Sequence, residues 1–419
     1  MAGPVASRRN VFLRIRPLHV LHVIPGIAPR YGGPSAVIGP MVAALNHLPD
    51  VVAEVATTDA DGPGGRIDPR VLPAEVSTHL FHRTFSERWK FSNDLWRWLR
   101  RHAADYDILH IHSLWSFASA AAARAARRAG VPYVVRPAGM LSPYTFGRGT
   151  WSKNLYWGMA ERATVQGAAA FHVTSEEEAA EVRAVRPDAK TFVIPNGVDD
   201  AAWNIRVDRD RLRSQCDLNA GGRSILLFLS RIHPKKGIID LLLPAVARMK
   251  SDAFLALAGG PDPHAPGYHD EVTAAIARLG LGERVRLLGP VAASDRWYLF
   301  DGADAFVLPS RSENFGVVVA EAMARGCPVV VTEGVHAKCH VREAGAGKVV
   351  PFDQEELAQT LDAVLADASA RDIMGAQGRE YVRERLDWES IARSLVECYT
   401  ECLVSARNAP SKAASVTGG

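Results

Sequence analysis

Two glutamates, Glu313 and Glu321, lie eight positions apart in the stretch SRSENFGVVVAEAMARGCP. The apolar run AFVLP before this stretch is typical of a buried parallel strand. A helical pattern follows and ends at the Gly-Cys-Pro sequence that starts at Gly326. The sequence therefore predicts a strand, a loop that contains Glu313 and a helix that contains Glu321. If that helix begins near Phe315, its first amides are free, and such a terminus binds anions.

This strand-loop-helix unit can contact three parts of one ligand. The amides of Phe315, Gly316 and Val317 would face a diphosphate, and the missing side chain of Gly316 lets the ligand approach closely. The Glu321 carboxylate can accept two hydrogen bonds from hydroxyls, as a ribose offers, and Glu313 lies where a hexose would be held. The alternative interpretation is a buried helix that carries two solvated glutamates.

A pair of cations, Arg231 and Lys236, forms the second candidate cluster. Both lie in SRIHPKKG, after an apolar strand and before a helix that starts near Gly237. Two cations in that position can hold a diphosphate and stabilise the negative charge that builds on it when a sugar leaves. The alternative is a solvated pair of lysines.

Length, charge and cysteine content limit the class of protein. A chain of 419 residues is too long for one ordinary core and indicates two domains or more. The formal net charge of +3 gives no support for a nucleic-acid partner. The five cysteines are scattered, without a disulfide framework or a Cys-x-x-Cys metal site, which fits a reducing cytoplasm. Arg14 and Arg16 interrupt the N-terminal apolar stretch, and no run is long enough to span a bilayer, so we expect a cytoplasmic protein.

Strand and helix patterns alternate along most of the chain. Apolar strands such as LHVLHVIP, DILHIHS and SILLFLS are separated by helical stretches such as FASAAAARAARRAG. The alternation predicts an α/β protein with two doubly wound halves and a ligand cleft between them. Ligands of such sheets bind at the carboxyl ends of strands. The residues expected there include His112, Arg136 and Gly139, and the pair Gly32-Gly33 follows the first strand.

The Glu-x7-Glu spacing inside SENFGVVVAEAMARGCPVV resembles the signature of retaining glycosyltransferases of family 4, also called group 1, which have the GT-B fold. The resemblance extends over most of the chain, from about Leu18 to Leu403. It implies two Rossmann-like domains that face each other across a cleft. It also implies transfer of a hexosyl unit from a nucleoside-diphosphate sugar to a carbohydrate or lipid-linked acceptor, in polysaccharide or glycoconjugate biosynthesis. Retention would follow a front-face path in which the leaving phosphate takes the acceptor proton.

The resemblance also implies domain boundaries. We expect a basic arm (1–17), an N-terminal acceptor domain (18–200), a linker (201–222), a C-terminal nucleotide-sugar domain (223–385), a helix that crosses back to the first domain (386–404) and a disordered tail (405–419).

Site residues carry over from the family position by position. Arg231 and Lys236 match its Arg-x4-Lys element and, with Glu313, form the expected catalytic set. The expected donor-binding residues are Gly32, Gly33, Val291, Asn314, Phe315, Gly316, Val317 and Glu321. On the acceptor side the expected residues are His112, Arg136 and Gly139. Ala138 departs from the pattern, because many relatives carry a histidine near this point.

No cofactor and no metal ion are expected, because the resemblance implies that fixed cations hold the diphosphate. Asp59-x-Asp61 has the form of a metal-diphosphate motif, but it lies in a Gly-Pro loop where turn chemistry explains it. Two other functions stay open: a sugar-nucleotide epimerase or hydrolase on the same fold, and a non-catalytic subunit that binds a sugar nucleotide. Product analysis would separate the first of these from a transferase.

An aromatic and basic patch, which includes Arg88, Trp89, Lys90 and Trp96, has two interpretations. One is peripheral contact with the inner membrane surface. The other is an amphipathic helix that covers the sheet and presents a charged outer face.

Overall fold

The computed structural model describes residues 16–87, 89–142, 157–205, 208, 210–218, 222–292 and 294–408. Most of the expected basic arm, Arg88 of the aromatic and basic patch, and the last eleven residues of the expected tail lie outside these ranges.

The first half is built on a seven-stranded sheet in which all neighbouring strands are parallel. Its strand order is β3-β2-β1-β4-β5-β6-β7. The inner strands β4, β5 and β6 are buried on both faces, as expected for a sheet covered by helices, whereas the edge strands β3 and β7 are only partly buried. The strands are β1 (Leu18–Val23), β2 (Val51–Thr58), β3 (Thr78–Phe81), β4 (Ile108–His112), β5 (Tyr133–Arg136), β6 (Ala170–Val173) and β7 (Thr191–Val193).

Helices of the first half begin and end where the sequence provides caps. The hydroxyls of Ser92, Ser116 and Ser175 each accept a hydrogen bond from an amide of the first turn that follows. The helices are α1 (Gly33–Asn46), α2 (Asn93–His102), α3 (Phe117–Ala129), α4 (Arg162–Gln166, preceded by a π-helical turn at Trp157–Glu161) and α5 (Glu176–Val185). Single 3-10 turns cover Pro29–Tyr31, Pro69–Val71 and Ala103–Asp105.

The second half is built on a six-stranded parallel sheet with the order β10-β9-β8-β11-β12-β13. Its strands are β8 (Ile225–Leu229), β9 (Phe254–Ala258), β10 (Val285–Gly289), β11 (Ala305–Leu308), β12 (Val329–Thr332) and β13 (Gly347–Val350). Two short helices, α6 (Ala201–Asn204) and α7 (Asp210–Gln215), precede this sheet. The helices around the sheet are α8 (Leu243–Arg248, preceded by a π-helical turn at Ile238–Leu242), α9 (Tyr268–Arg278), α10 (Trp297–Gly302), α11 (Val317–Ala324), α12 (Lys338–Ala344), α13 (Gln354–Ala366) and α14 (Ala368–Arg385). A 3-10 turn covers Pro234–Lys236.

Both sheets reverse their strand order once, so the prediction of two doubly wound halves is confirmed. The reversal lies between β1 and β4 in the first sheet and between β8 and β11 in the second. Loops on the two sides of such a reversal diverge and leave a crevice at the carboxyl ends of the strands. Gly32, Gly33, His112, Arg231, Lys236 and Glu313 lie at or after the ends of these four strands, whereas Arg136 and Gly139 belong to the end of β5 and Val291 follows β10.

The last helix, α15 (Trp388–Asn408), packs on the first half although it follows the second half in the chain. Its buried residues join those of α1 in one apolar cluster, and the Tyr399 hydroxyl bonds Nδ1 of His110 at 2.8 Å. The helix runs into the segment that we expected to be a tail from residue 405. Within the described residues, no helix is long and apolar enough to cross a membrane.

Candidate active site

Arg231 follows the end of β8 and lies at the edge of the second sheet. Its guanidinium is about half exposed, and Nη1 lies 2.8 Å from Oδ2 of Asp262. The Asp262 carboxylate is buried, so the ion pair fixes one side of the guanidinium while the other side stays open to the cleft. Sequence reasoning missed Asp262. Its position in AGGPD, just after β9, could have indicated it, because residues after parallel strands lie at the ligand-binding edge of the sheet.

Lys236 is buried and forms an ion pair with the partly buried carboxylate of Glu313. Burial alone would raise the pKa of Glu313, but the positive charges of Lys236, Lys235 and Arg231 hold it below its usual value. The carboxylate is therefore ionised at neutral pH. Gly237 ends the Pro234–Lys236 turn with φ +69°, and a Cβ there would lie 2.3 Å from the Pro309 carbonyl oxygen. Only glycine allows this close approach, which brings the lysine beside the end of β11.

Gly316 sets the start of α11, and here the structure corrects the sequence prediction. The residue adopts left-handed φ and ψ of +74° and +62°, so the helix begins at Val317 and not near Phe315. The Phe315 ring is buried and packs edge-to-face on His340. No side chain in the described part of the chain caps the helix. Val317 packs against the hydrophobic cores of both halves, which holds this helix terminus at the cleft.

Glu321, one turn into α11, is almost fully buried and pairs with Arg296 at 2.9 Å. Burial raises the pKa of Glu321, Arg296 lowers it, and the Asp199 carboxylate raises it again, with a net increase. The Arg296 guanidinium also lies 4.6 Å from the centre of the Trp297 ring. The sequence did not predict this pair, because Arg296 directly precedes α10 whereas Glu321 lies on α11, with β11 between them.

Gly32 and Gly33 form the N-terminus of α1, directly across the cleft from Arg231. A Cβ placed on Gly32 would lie 3.7 Å from the guanidinium carbon of Arg231. Gly33 is exposed, and no heavy atom lies within 4 Å of the position a Cβ would take. The two strand-order reversals therefore face each other at this point.

Asn314 and Gly139 connect the two halves on the other side of the cleft. A Cβ on Gly139 would lie 3.0 Å from the Asn314 Cβ, so the backbone segments are in contact. The amide oxygen of Asn314 accepts a hydrogen bond from the Thr174 hydroxyl at 3.2 Å. Its amide nitrogen donates to the Glu178 carboxylate. Val291 follows β10 and is half-buried against the core of the second half.

Glu178 is a fully buried carboxylate that sequence reasoning missed. It accepts hydrogen bonds from the Gly139 amide at 2.7 Å, from the Thr174 amide at 2.8 Å and from the Thr174 hydroxyl at 3.0 Å. These bonds fix the loop after β5, in which Ala138 takes a positive φ of 53°. The local sequence could have indicated Glu178. It lies three positions after the N-cap Ser175, where acidic residues stabilise a helix.

His112 and Arg136 are buried, 1% and 3% exposed, so neither side chain presents itself at the cleft surface. Arg136 donates to Asn196, and burial lowers its pKa to about 10 although the nearby Glu178 partly offsets this effect. Nδ1 of His22 lies 3.0 Å from Nε2 of His112. The roles of His112 and Arg136 toward an acceptor stay predictions, and in this arrangement they would act from beneath the surface.

His112 belongs to a buried group that we call the histidine cluster, formed by His22, His110, His112 and His172. Burial lowers the pKa of His22 to about 3 and those of the other three well below their usual value, so all four are neutral. Ring nitrogens of His22, His110 and His112 lie within 4.8 Å of one another, and this is the one such group of possible metal ligands in the described residues. The adjacent Arg136 charge opposes a cation at that position.

Asp59 and Asp61, the alternative metal motif, are each engaged with cations or amides. Asp59 is buried, accepts a hydrogen bond from the Arg83 amide at 2.7 Å and lies 3.0 Å from Nδ1 of His82. Asp61 lies 3.6 Å from the Arg30 guanidinium. Both carboxylates therefore have partners within the protein.

Two family descriptions match successive parts of the chain. The "Glycosyl transferase 4-like domain" matches residues 32–197, and "Glycosyl transferases group 1" matches residues 210–381. The D-inositol 3-phosphate glycosyltransferase of Mycobacterium marinum is 26% identical over 403 residues, which is 92% of this chain and 85% of that protein. The protein of the same name from Geodermatophilus obscurus is 32% identical over 50% of this chain and 47% of its own length.

Solved structures of the GT-B type share the architecture. The sucrose-phosphate synthase of Thermosynechococcus elongatus superposes with a TM-score of 0.75 and 22% identity, over 93% of this chain and 100% of that chain. HepE of Anabaena, solved in complex with UDP and glucose, superposes with a TM-score of 0.74 and 22% identity, over 92% of this chain and 100% of its own. The fold predicted from the sequence is thereby confirmed.

Proposed function

Because the chain belongs to the group 1 glycosyl transferases of family 4, we propose that it transfers a hexosyl unit from a nucleoside-diphosphate sugar to a carbohydrate or lipid-linked acceptor. The main observation behind this proposal is that Arg231 lies close to the N-terminus of α1. Lys236 and the N-terminus of α11 lie on the same edge of the second sheet as Arg231. Two cations and two helix N-termini converge on one part of the cleft. Such an arrangement suits a diphosphate, which carries concentrated negative charge.

The donor would lie along the second half with its parts in a fixed order. Glu321 would accept the ribose hydroxyls, and the turn that ends at Val291 would meet the nucleobase through its backbone. The amides at Gly316 and Val317 would face the diphosphate. Glu313 would accept hydroxyls of the hexose, and its ion pair keeps the ammonium of Lys236 beside the leaving oxygen.

The proposed reaction keeps the anomeric configuration. The acceptor hydroxyl oxygen bonds to the anomeric carbon on the face from which the diphosphate leaves. The bond from that carbon to the phosphate oxygen breaks, its electron pair stays on the diphosphate, and the acceptor proton passes to the same phosphate oxygen. Negative charge on the diphosphate is larger in the transition state than in the bound donor, so Arg231 and Lys236 bind the transition state more strongly.

UDP-glucose is the first donor to test, because HepE of Anabaena was also solved in complex with UDP-glucose. A thermal-shift screen against a panel of nucleotide sugars would identify the donor, since a ligand of the native state raises Tm with its concentration. Binding of one sugar nucleotide above the rest is expected. If no member of the panel raises Tm, and calorimetry detects no binding, the proposal is wrong.

Product analysis then separates the transferase from the two other functions. Proton NMR of the fresh product should show the anomeric configuration of the donor, attached to an acceptor. Free hexose with every acceptor would favour a hydrolase, a changed donor sugar would favour an epimerase, and binding without turnover would favour a non-catalytic subunit. An inverted product would refute the front-face path.

A further inference from the structure

A cavity of about 360 Å³ lies in the first half, beside the proposed diphosphate position. We call it the aromatic pocket, because Tyr31, Trp89 and Trp115 contribute to its walls. Its walls come from the loops that follow β1, β3 and β4, with Met140 from the loop after β5. Pro34 and Ser35, in the first turn of α1, also line it, within three residues of Gly32, which faces Arg231. A ligand in this pocket therefore lies next to the donor end of the cleft.

Four polar side chains of the aromatic pocket are engaged within the protein. The Tyr31 hydroxyl donates to Glu87, and the Lys90 ammonium lies 3.1 Å from the same carboxylate and 3.8 Å from the centre of the Tyr31 ring. The Ser35 hydroxyl donates to the Gly26 carbonyl at 2.9 Å. The indole of Trp115 donates to the Met140 carbonyl at 3.1 Å. A polyhydroxylated ligand would compete with these bonds, whereas an apolar group gains about 25 cal/mol for each Å² removed from water.

The loop after β4 is built to hold Trp115 in place. Ser113 and Trp115 both adopt positive φ, 69° and 59°, a conformation that costs energy for residues other than glycine and recurs at functional sites. The Trp115 amide donates to Oε1 of Glu161 at 2.6 Å, and this carboxylate is fully buried. A buried carboxylate and two strained residues thus fix an indole that is itself half-exposed toward the pocket.

We propose that the aromatic pocket binds the apolar part of the acceptor, so that the acceptor is a hydroxyl-bearing group joined to an alkyl or aryl aglycone. The inference rests on the proposed transferase function, since it assumes that the acceptor hydroxyl meets the donor near Gly32. It distinguishes this chain's acceptor from D-inositol 3-phosphate, the wholly polar compound after which the curated relatives are named. Alkyl and aryl aglycones are both apolar and could both fill this pocket. A comparison of ligands that carry one or the other distinguishes them.

Fluorescence titration compares ligands that differ only in the aglycone. Octyl and phenyl β-glucosides, each below any micelle-forming concentration, are measured against methyl β-glucoside and inositol 3-phosphate. For the wild type we expect affinity at least tenfold higher for the octyl or the phenyl compound than for the methyl compound. Equal affinities for all three glucosides, or tightest binding of inositol 3-phosphate, would overturn the proposal.

Variants locate the effect in the pocket. Trp115→Ala and, on another wall, Trp89→Ala should each abolish the preference for the larger aglycone, with circular dichroism to check the fold. Trp96→Ala is the matched control, because Trp96 lies on α2 outside the pocket with Arg100 5.6 Å over its ring. Retention of the preference in both pocket variants would refute the site. If Trp115→Ala does not fold, Trp89→Ala and Trp115→Phe still decide the question.

Nucleotide titration keeps this result separate from the proposed function. UDP should bind the wild type, Trp115→Ala and Trp89→Ala with the same affinity, because neither tryptophan belongs to the donor residues. Absence of UDP binding in the wild type would count against the transferase function. The comparison of aglycones would still report on the pocket in that case.

Discussion

The two sheets carry their polar side chains in different places. The first sheet has the histidine cluster on β1, β4 and β6, fully enclosed. In the second sheet, β8, β9 and β11 are apolar throughout, and the charged residues follow the strand ends. Charges at the edge of an apolar sheet are available to a ligand, whereas polar groups inside a sheet must be paired within the protein or stay neutral. This difference supports our proposal that the second half binds the charged donor.

Replacing Lys236 tests the second half most severely. We expect Lys236→Ala to lower kcat by about 10²–10³, with a much smaller rise in the donor KM, because the lost charge acts mainly on the transition state. Steady-state kinetics measure both constants. Lys348→Ala, on the exposed part of β13, should retain wild-type kinetics. A Lys236→Ala enzyme with wild-type turnover would remove this residue from the chemistry.

Replacing Glu321 should act on binding rather than on turnover. Loss of hydrogen bonds between a charged carboxylate and the ribose should weaken donor binding by about 1.5–3 kcal/mol. Isothermal titration calorimetry of Glu321→Ala against the nucleotide measures this change. The variant also leaves Arg296 without its carboxylate, so the double variant Glu321→Ala/Arg296→Met provides the control for that buried charge. Unchanged affinity in a folded variant would exclude the ribose role.

Acid should destabilise the protein through the histidine cluster. Burial, together with the charge of Arg136, keeps the pKa of His22 near 3, whereas in the unfolded chain it returns to about 6.5. Below about pH 6.5 the histidines take up protons in the unfolded state but not in the folded state. The free energy of unfolding therefore falls by up to about 1.4 kcal/mol per pH unit for each histidine. Between about pH 7 and pH 5, calorimetry should show a smaller fall of Tm for His22→Gln than for the wild type.

His269, a half-buried residue of the second half, provides the control for that measurement. His269→Gln should show the same pH dependence of Tm as the wild type, because this substitution leaves the histidine cluster unchanged. If His22→Gln and the wild type lose stability in parallel, the histidine cluster does not determine acid sensitivity.

Removal of divalent cations should have the smallest effect. Arg231 and Lys236 would hold the diphosphate, so saturating chelator should leave turnover nearly unchanged. Asp59 is already bonded by an amide and lies beside His82. Activity that chelator abolishes and manganese or magnesium restores would instead favour the Asp59-x-Asp61 interpretation.

Local patterns were sufficient to predict the elements and the position of the cleft. Apolar runs such as ILLFL and AFVL became buried strands. Because ligands bind at the carboxyl ends of parallel strands, the sequence also placed Arg231, Lys236 and Glu313 at one edge. The start of α11 was predicted too early, because the left-handed conformation of Gly316 is not visible in the helical pattern around it.

Pairings between distant residues were not predictable from one sequence. Arg231 with Asp262, Glu321 with Arg296 and Asn314 with Glu178 each join separate elements, and a carboxylate alone does not indicate which cation it meets. The same holds for the histidine cluster, whose members come from three strands. His112 was singled out because it ends β4, and its burial follows from side chains that fold over it from elsewhere in the chain.

The position of α15 has a consequence for synthesis on the ribosome. Ile391, Leu395 and Tyr399 fill the face of the first half against α1, yet they are made after the whole of the second half. N-terminal domains usually fold while the rest of the chain is still being translated. Here the first half keeps an apolar face uncovered until α15 has been made, so we expect it to complete its fold after the second half. Nascent chains stalled before Trp388 should therefore leave the first half more sensitive to protease than released chains.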